Sequence, residues 1–363
     1  MKNTFGTSVS VTLFGESHGE AIGAVLDGMA PGISIDRDFI RHQMVLRMGD
    51  PALSTARREP DEVEIVSGIY NGVTTGTPIT LLIKNTNTKS GDYKKTSALL
   101  RPGHADFTAQ CKYHGFSDPR GGGHFSGRIT AGLVAAGAIA MTALDRLGIR
   151  IGTHIAACGG VCDRPFENIE EDVSFLNHVG LAVLDEKKGK KITAAITEAR
   201  RLGDSVGGIL ETAVVGLPAG VGEPWFDTVE GVLSHALFSI PAVKGVEFGD
   251  GFALAAMRGS QANDPFEVKD GKIKTTTNRA GGILGGITTG MPLICRIAIK
   301  PTPSIYLEQQ TVNTDKMQNA TIEIEGRHDP AIVHRARVVA DSVVALTLCD
   351  MLAQRFGTDY LRA

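Results

Sequence analysis

The sequence predicts a mixed α+β fold, and three observations carry that expectation: the order of strand and helix signals, a repeat within the chain, and a surplus of glycine at turns. Short alternating segments read as strands over 8–14, 23–27, 62–70 and 77–83, and again over 211–216, 251–257, 291–299 and 321–325. Periodicity and end signals place helices over 36–48, 129–147, 191–201, 227–238 and 335–355. Runs of strands followed by single long helices do not fit a regular βαβ layout. The cluster Lys187-Lys188-Gly189-Lys190-Lys191 reads as a solvated loop ahead of the third helix.

The repeat justifies pairing these elements. Residues 68–83 (GIYNGVTTGTPITLLI) match 282–297 (GILGGITTGMPLICRI) at 8 of 16 positions, an offset of 214. Residues 15–32 resemble 203–220 at an offset of 188, and the helix near 133–143 resembles the one near 338–348 at an offset of 205. The order is preserved, so the chain reads as two copies of a strand, strand, helix unit, in halves of roughly 1–150 and 190–355.

Composition sets the class. With 363 residues, 42% apolar and 21% charged, the chain is globular, and disorder, collagen and coiled coil are excluded. Length alone suggests about two domains. Glycine is the unusual component at 44 residues, without a three-residue period, so it marks turns and close backbone approaches. A net charge of -3 offers no bulk attraction to nucleic acid or anionic membrane, leaving any anion binding to local Arg and Lys clusters. Five scattered cysteines fit a reducing compartment rather than a disulfide framework. The stretch from Val9 to Phe14 is too short and polar for a signal segment, and 129–144 falls short of a membrane span, so a cytoplasmic location is expected.

Neither a P-loop nor a G-x-G-x-x-G fingerprint occurs. His154, Cys158 and Cys162 are spaced by four but lack an apparent fourth ligand, so no metal site is expected. Gly15-Glu16-Ser17-His18-Gly19 matches the G-x-S-x-G elbow of serine hydrolases, with Ser17 as the nucleophile. The next residues, AIGAVLDG, alternate like a strand instead of opening a helix, and the pattern recurs at Gly203-Asp204-Ser205-Val206-Gly207, which favours a structural turn.

Four segments concentrate titratable and cationic residues in turns. They are GESHG with His18, Arg101-Pro102-Gly103-His104-Ala105-Asp106, the run from Asp118 through Gly121-Gly122-Gly123 to Arg128, and Gly326-Arg327-His328-Asp329-Pro330. Two of them open long helices, where glycine backbone and a helix N-terminus cradle anions. Together they describe a cationic pocket with imidazoles for a small polyanion.

With these segments in place, the chain resembles a known family. FGESHGEAIGAVLDGMAPG, RREPDEVEIVSGIYNGVTTGTPI, RPGHAD, the RGGG turn, SIPAVKGVEFGDGFALAAMRGSQ, NRAGGILGGITTGMP, IKPTPSI and GRHDP occur in the order found in chorismate synthases, over roughly residues 3–355. The resemblance implies a β-α-β sandwich with helices between sheets, in one domain of internal pseudo-symmetry spanning 1–363, and a homotetramer. It implies a lyase converting 5-enolpyruvylshikimate 3-phosphate to chorismate and phosphate, the last common step of the shikimate pathway, by an anti 1,4-elimination that needs reduced FMN without net redox change.

Carried over by position, His18 would protonate the departing phosphate, His104 would manage the proton on the flavin's N1 side, and Asp329 would relay the substrate's C6 proton. Ser17 and Ser126 would support these transfers by hydrogen bonding. FMN would lie against His124, Phe125 and Ser126, Pro241 and Ala242, Gly285, Lys300, Pro301, Thr302, Pro303 and Ser304, and Arg327. Arg47, Arg101 and Arg128 would bind the substrate's phosphate and carboxylates, which suit guanidinium forks.

The chain departs from the family in two places. The usual RGGGRSSAR is here Arg120-Gly-Gly-Gly-His-Phe-Ser-Gly-Arg128, so Arg and Ser give way to His124 and Phe125. The arginine-rich loop after the first helix is shortened to Arg47-Met48-Gly49-Asp50-Pro51, with Arg57 or Arg58 as substitutes for its substrate or NADPH contacts. These changes keep open a divergent flavin-binding paralogue of altered activity, beside a hydrolase using Ser17. Whether the chain reduces its own flavin with NADPH, or a separate reductase does so, is not legible in the sequence.

Overall fold

The computed structural model describes residues 2–50, 52–54, 61–86, 98–324, 326 and 328–362. The first unit contains β1 (Thr4–Gly6), β2 (Ser10–Gly15), β3 (Ala21–Asp27), α1 (Arg37–Met48), β4 (Glu64–Ile65), the hairpin β5 (Ile69–Tyr70) and β6 (Val73–Thr74), β7 (Ile79–Lys84), α2 (Asp106–Tyr113) and α3 (Thr130–Arg146). The second contains β8 (Arg150–Cys158), β9 (Val161–Cys162), α4 (Ile169–Leu176), α5 (Glu186–Arg201), β10 (Gly208–Val215), α6 (Val229–Leu237) and β11 (Val243–Phe248). It continues through α7 (Gly259–Ala262), the hairpins β12 (Phe266–Lys269) with β13 (Lys272–Thr275) and β14 (Ile283–Leu284) with β15 (Ile287–Thr288), then β16 (Leu293–Ile299), β17 (Gln309–Asn313), β18 (Gln318–Ile322) and α8 (Val333–Phe356).

Two antiparallel sheets result, ordered β1-β2-β3-β7-β4 and β9-β8-β10-β16-β11. Their central registers are the same once the sequence offsets are applied. In the first sheet Ala21 pairs with Lys84 and Leu26 with Ile79; in the second Ile209 pairs with Ala298 and Val214 with Leu293. One threonine in each unit does the same job. Thr74 Oγ1 donates to Ala30 O (2.6 Å) and accepts from Ile33 N (2.9 Å), while Thr288 Oγ1 donates to Pro218 O (2.7 Å) and accepts from Val221 N (2.9 Å). The repeat seen in sequence is therefore a repeat of hydrogen bonds. One boundary differs from the sequence halves: β8, at 150–158, takes in the second sheet the place beside β10 that β2 takes beside β3.

The helices α3 and α8 fill the layer between the sheets, α3 packing on β3 and β7 and α8 on β8 and β10. Both are buried nearly all round, α3 through a nearly continuous apolar run, whereas α8 also buries Arg337, Asp341 and Asp350. The segment from Gly127 to Arg146 is long and apolar enough to cross a membrane, yet 83% of its most apolar 18-residue window is buried in this fold. Small residues let the layers close: a Cβ on Gly132 would stand 2.7 Å from Gly23 O, and one on Gly137 would stand 2.2 Å from Ser342 Cβ. Gly137 and Ser342 are separated by the 205-residue helix offset, so the helices cross at equivalent residues, on the pseudo-twofold axis.

Four local expectations are corrected. Residues Gly251–Ala256 form a short 3-10 helix, not a strand, because Gly251 turns at φ +51° and Glu247 Oε2 accepts from Phe252 N (3.1 Å). The last strand lies at Gln318–Ile322, earlier than 321–325. The segment 62–70 breaks into β4 and β5 at Gly68, φ +81°. The Lys187–Lys191 cluster is helical, since Asp185 caps α5 by accepting from Lys187 N (2.7 Å) and Lys188 N (3.2 Å).

Candidate functional site

The site grows from the loop that leads into α3. Gly121, Gly122 and Gly123 all have positive φ (61°, 85° and 53°), a path closed to most side chains. The first two glycines each face an imidazole. A Cβ on Gly121 would lie 2.5 Å from His18 Cδ2, and one on Gly122 would lie 3.2 Å from His104 Cε1. The glycine run is thus the spacer that brings two histidines from separate loops onto one strip of backbone. The GESHG turn is tied to this strip by Ser17 N donating to Gly123 O (3.1 Å) and His124 Nδ1 to Gly15 O (2.8 Å).

His18 is 7% exposed and Ser17 is 1% exposed, and the Ser17 hydroxyl has no hydrogen-bond partner among the described residues. The turn runs into β3 rather than a helix, and no base meets Ser17 Oγ, so the hydrolase elbow is absent in geometry as well as in context.

His104 is oriented by its own segment. Its Nδ1 lies 3.0 Å from Asp106 Oδ1, and Arg101 grips the same carboxylate through Nε (2.8 Å) and Nη2 (2.6 Å). Burial favours the neutral acid in Asp106, but the hydrogen bonds from Arg101 and His104 outweigh it and hold the carboxyl well below the usual range. An ionised carboxylate can only accept, so Nδ1 carries the hydrogen and Nε2 is left as the working nitrogen. The 3.1 Å approach of Arg101 Nη2 to the same Nδ1 is then a contact without a shared proton. Arg101, expected to grip substrate, spends its fork on Asp106 and does not line the cavity.

A second cluster supplies charge. Arg47 and Arg128, 5% and 8% exposed, both engage Asp61, Arg47 Nη1 at 2.9 Å from Oδ2 and Arg128 Nη1 at Oδ1. Arg47 also donates through Nε to Thr130 Oγ1 (3.0 Å), and Arg128 through Nε to Asn85 Oδ1 (3.0 Å). Two guanidinium groups sharing one carboxylate keep one net positive charge at the start of α3. Sequence reasoning missed Asp61, whose partners lie 14 and 67 residues away. At the start of α8, Asp329 pairs with Arg335, whose Nε donates to Arg47 O (3.0 Å). His334 packs beside them with Nε2 2.7 Å from Ser54 Oγ, and burial pushes it down to about 4.

These groups surround a cavity of about 930 Å³. Arg47, His104, His124, Phe125, Ser126, Arg128 and Asp329 line it, as do Pro241, Ala242, Lys300, Thr302, Pro303, Ser304 and Arg335. The first turns of both central helices open onto it, so two helix dipoles add to the cationic side chains. Lys300 Nζ donates to Gly103 O, which joins the KPTPS segment to the turn that carries His104. Ser17, His18 and Pro301 stand outside the cavity lining, and Gly285 sits in the β14–β15 turn, away from it. Arg57, Arg58 and Arg327 lie outside the described residues.

The departures from the family pattern have local roles. His124 bonds the GESHG turn, and Phe125 meets Tyr113 edge-on, with ring centroids 5.9 Å apart and planes at 72°.

A family model described as chorismate synthase matches residues 9–353. A chorismate synthase of Dehalococcoides mccartyi is 48% identical over 360 residues, covering 98% of each chain. One from Pyrococcus abyssi is 49% identical over 350 residues, covering 96% of this chain and 97% of its own. A crystal structure of chorismate synthase superposes with a TM-score of 0.77 at 28% identity, covering 98% of this chain and 94% of that one. The shared fold and the match along nearly the whole length lead to one statement: the chain belongs to the chorismate synthase family, lyases of the shikimate pathway.

Proposed function

We propose that the cavity carries out the reduced-FMN-dependent anti 1,4-elimination of phosphate from 5-enolpyruvylshikimate 3-phosphate. The observation that carries this reading is a cationic cavity lined by His104, with His18 outside the lining but held against the same glycine strip. The fit to flavin and substrate together is supported by volume and donors: about 930 Å³ lies at the upper end for ligand sites, and its cations match a substrate phosphate, two carboxylates and a flavin phosphate.

Phe125, Ser126, Pro241, Ala242 and the Lys300–Ser304 segment would hold reduced FMN, which would supply electron density that helps expel the phosphate. The chain's own residues do the rest. His18, buried beneath Gly121, gives its proton to the leaving phosphate. His104 holds a proton at Nε2, its ring steadied at Nδ1 by Asp106, whose carboxylate Arg101 grips. Asp329, kept in place by Arg335, accepts the substrate's C6 proton. Ser17 and Ser126 lend hydroxyls, and Arg47 and Arg128 bind anionic oxygens; Arg101 acts through Asp106. Arg57 and Arg327 are assigned to the same anions on the strength of the family pattern, and Pro301 and Gly285 to FMN likewise.

Anaerobic assay with reduced FMN and the phosphorylated substrate tests the reading, and absence of chorismate under those conditions would overturn it. NADPH is the reductant we assign, tested by its steady-state oxidation by the purified protein. A cytoplasmic homotetramer in one domain completes the proposal, with light scattering as the check on assembly.

A further inference from the structure

His124 stands where it can serve the site twice. Its Nδ1 lies 2.8 Å from Gly15 O, and a carbonyl oxygen can only accept, so Nδ1 carries the ring hydrogen and Nε2 of the neutral imidazole is an acceptor. The direction of that carbonyl is set by backbone that excludes a side chain: Gly15 has φ +93°, and a Cβ there would lie 2.3 Å from Ala21 O. A second bond, Ser17 N to Gly123 O at 3.1 Å, runs the other way between the same two loops. Together the two bonds clamp the turn that carries Ser17 and His18 to the glycine strip.

The other nitrogen of His124 faces different needs. The ring lines the cavity, and Nε2 has no hydrogen-bond partner among the described residues. Arg47, Arg128, Lys300 and Arg335 on the same lining can only donate, while Asp61 and Asp329 are engaged by arginines. His124 Nε2 is therefore an uncommitted acceptor on a lining that carries four cationic donors.

We propose that His124 is a positioning residue with two separable roles: Nδ1–H pins the GESHG turn, and Nε2 accepts a hydrogen bond from an N–H of the flavin ring bound in the cavity. The second role rests on the flavin reading above. Amide side chains separate the two, because the Asn Nδ2 stands in for the imidazole Nδ1 and the Gln Oε1 stands in for Nε2.

The experiment measures reduced-FMN affinity by anaerobic titration, and kcat at saturating flavin and substrate, for His124→Asn and His124→Gln, with melting curves to establish folding. His124→Asn keeps the pin and loses the acceptor, so the flavin Kd rises about tenfold, the scale of one hydrogen bond, with a smaller loss in kcat. His124→Gln gives the opposite split, about tenfold in kcat and a smaller change in Kd. A flavin Kd in the Asn variant equal to wild type overturns the acceptor role, and a kcat in the Gln variant equal to wild type overturns the pin. Wild-type protein that fails to bind reduced FMN sinks the functional reading itself, whereas normal wild-type binding with two indistinguishable variants sinks this inference alone.

Discussion

Gly121 leaves no room for a side chain beside His18. Adding one methyl group at Gly121 puts carbon 2.5 Å from the imidazole and asks an L residue to hold φ +61°. Backbone or ring must shift by a large fraction of an ångström, a displacement that costs roughly 10²-fold when it moves a reacting group. Gly121→Ala is therefore expected to lower kcat on that scale while substrate KM changes less, and steady-state kinetics with reduced FMN would read the difference. Direct removal of either imidazole should be of the same order or worse: His18→Ala and His104→Ala are each expected to slow turnover about 10²- to 10⁴-fold. Turnover equal to wild type in either variant would remove that histidine from the mechanism. Much of this was legible one residue at a time. The His-x-Asp spacing of 104 and 106 and the glycine run stand in the sequence, whereas the sharing of Asp61 by Arg47 and Arg128 depends on loops distant along the chain.

Across the outer face of the second sheet, four strands carry one row of alternating charge. His154 pairs in register with Glu211, Glu211 with Arg296, and Arg296 with Glu247, on β8, β10, β16 and β11. His154 holds Asp163 at Nδ1 and Glu211 at Nε2, both at 3.0 Å, which places its ring nitrogens on carboxylates rather than beside Cys158 and Cys162. Burial works against the charged imidazole, but the two carboxylates outweigh it and raise its pKa. A histidine raised above its unfolded value stabilises fully below about pH 6.5 and loses that contribution as pH rises through the folded value. The melting temperature should thus fall as pH rises above about 6.5 and through the raised folded value, and His154→Gln, with no charge to lose, should show a flatter curve over that range. A wild-type profile that rises through that range would contradict the assignment. Long strands were readable from their alternation, and the two central helices from long runs free of proline. The start of α5 and the 3-10 turn after β11 were not, since one rests on the Asp185 cap within a lysine-rich run and the other on Gly251 and a side-chain bond from Glu247.

At the scale of the whole molecule, two sheets of matching order enclose two helices that cross at Gly137 and Ser342. No rotamer change relieves a Cβ placed 2.2 Å from another Cβ, so Gly137→Val must push the helices apart at the symmetry axis. An overpacking cost of about 1–3 kcal/mol is expected, seen as a lower denaturation midpoint. The duplication was legible in sequence because turn glycines and threonines recur, whereas the inserted helices α4 and α5 hid the equivalence of β2 and β8. A further link joins distant parts of the chain. Asp350, near the end of α8, accepts from Thr7 N (3.0 Å), Ser8 N (2.7 Å) and Val9 N (2.9 Å), so it closes the β1–β2 turn. During synthesis those three amides leave the ribosome more than 340 residues before the carboxylate that satisfies them. The first hairpin to be made is thus among the last to be locked, and a nascent chain stalled before residue 350 would carry an open amino-terminal edge to whatever chaperone or neighbouring chain it met.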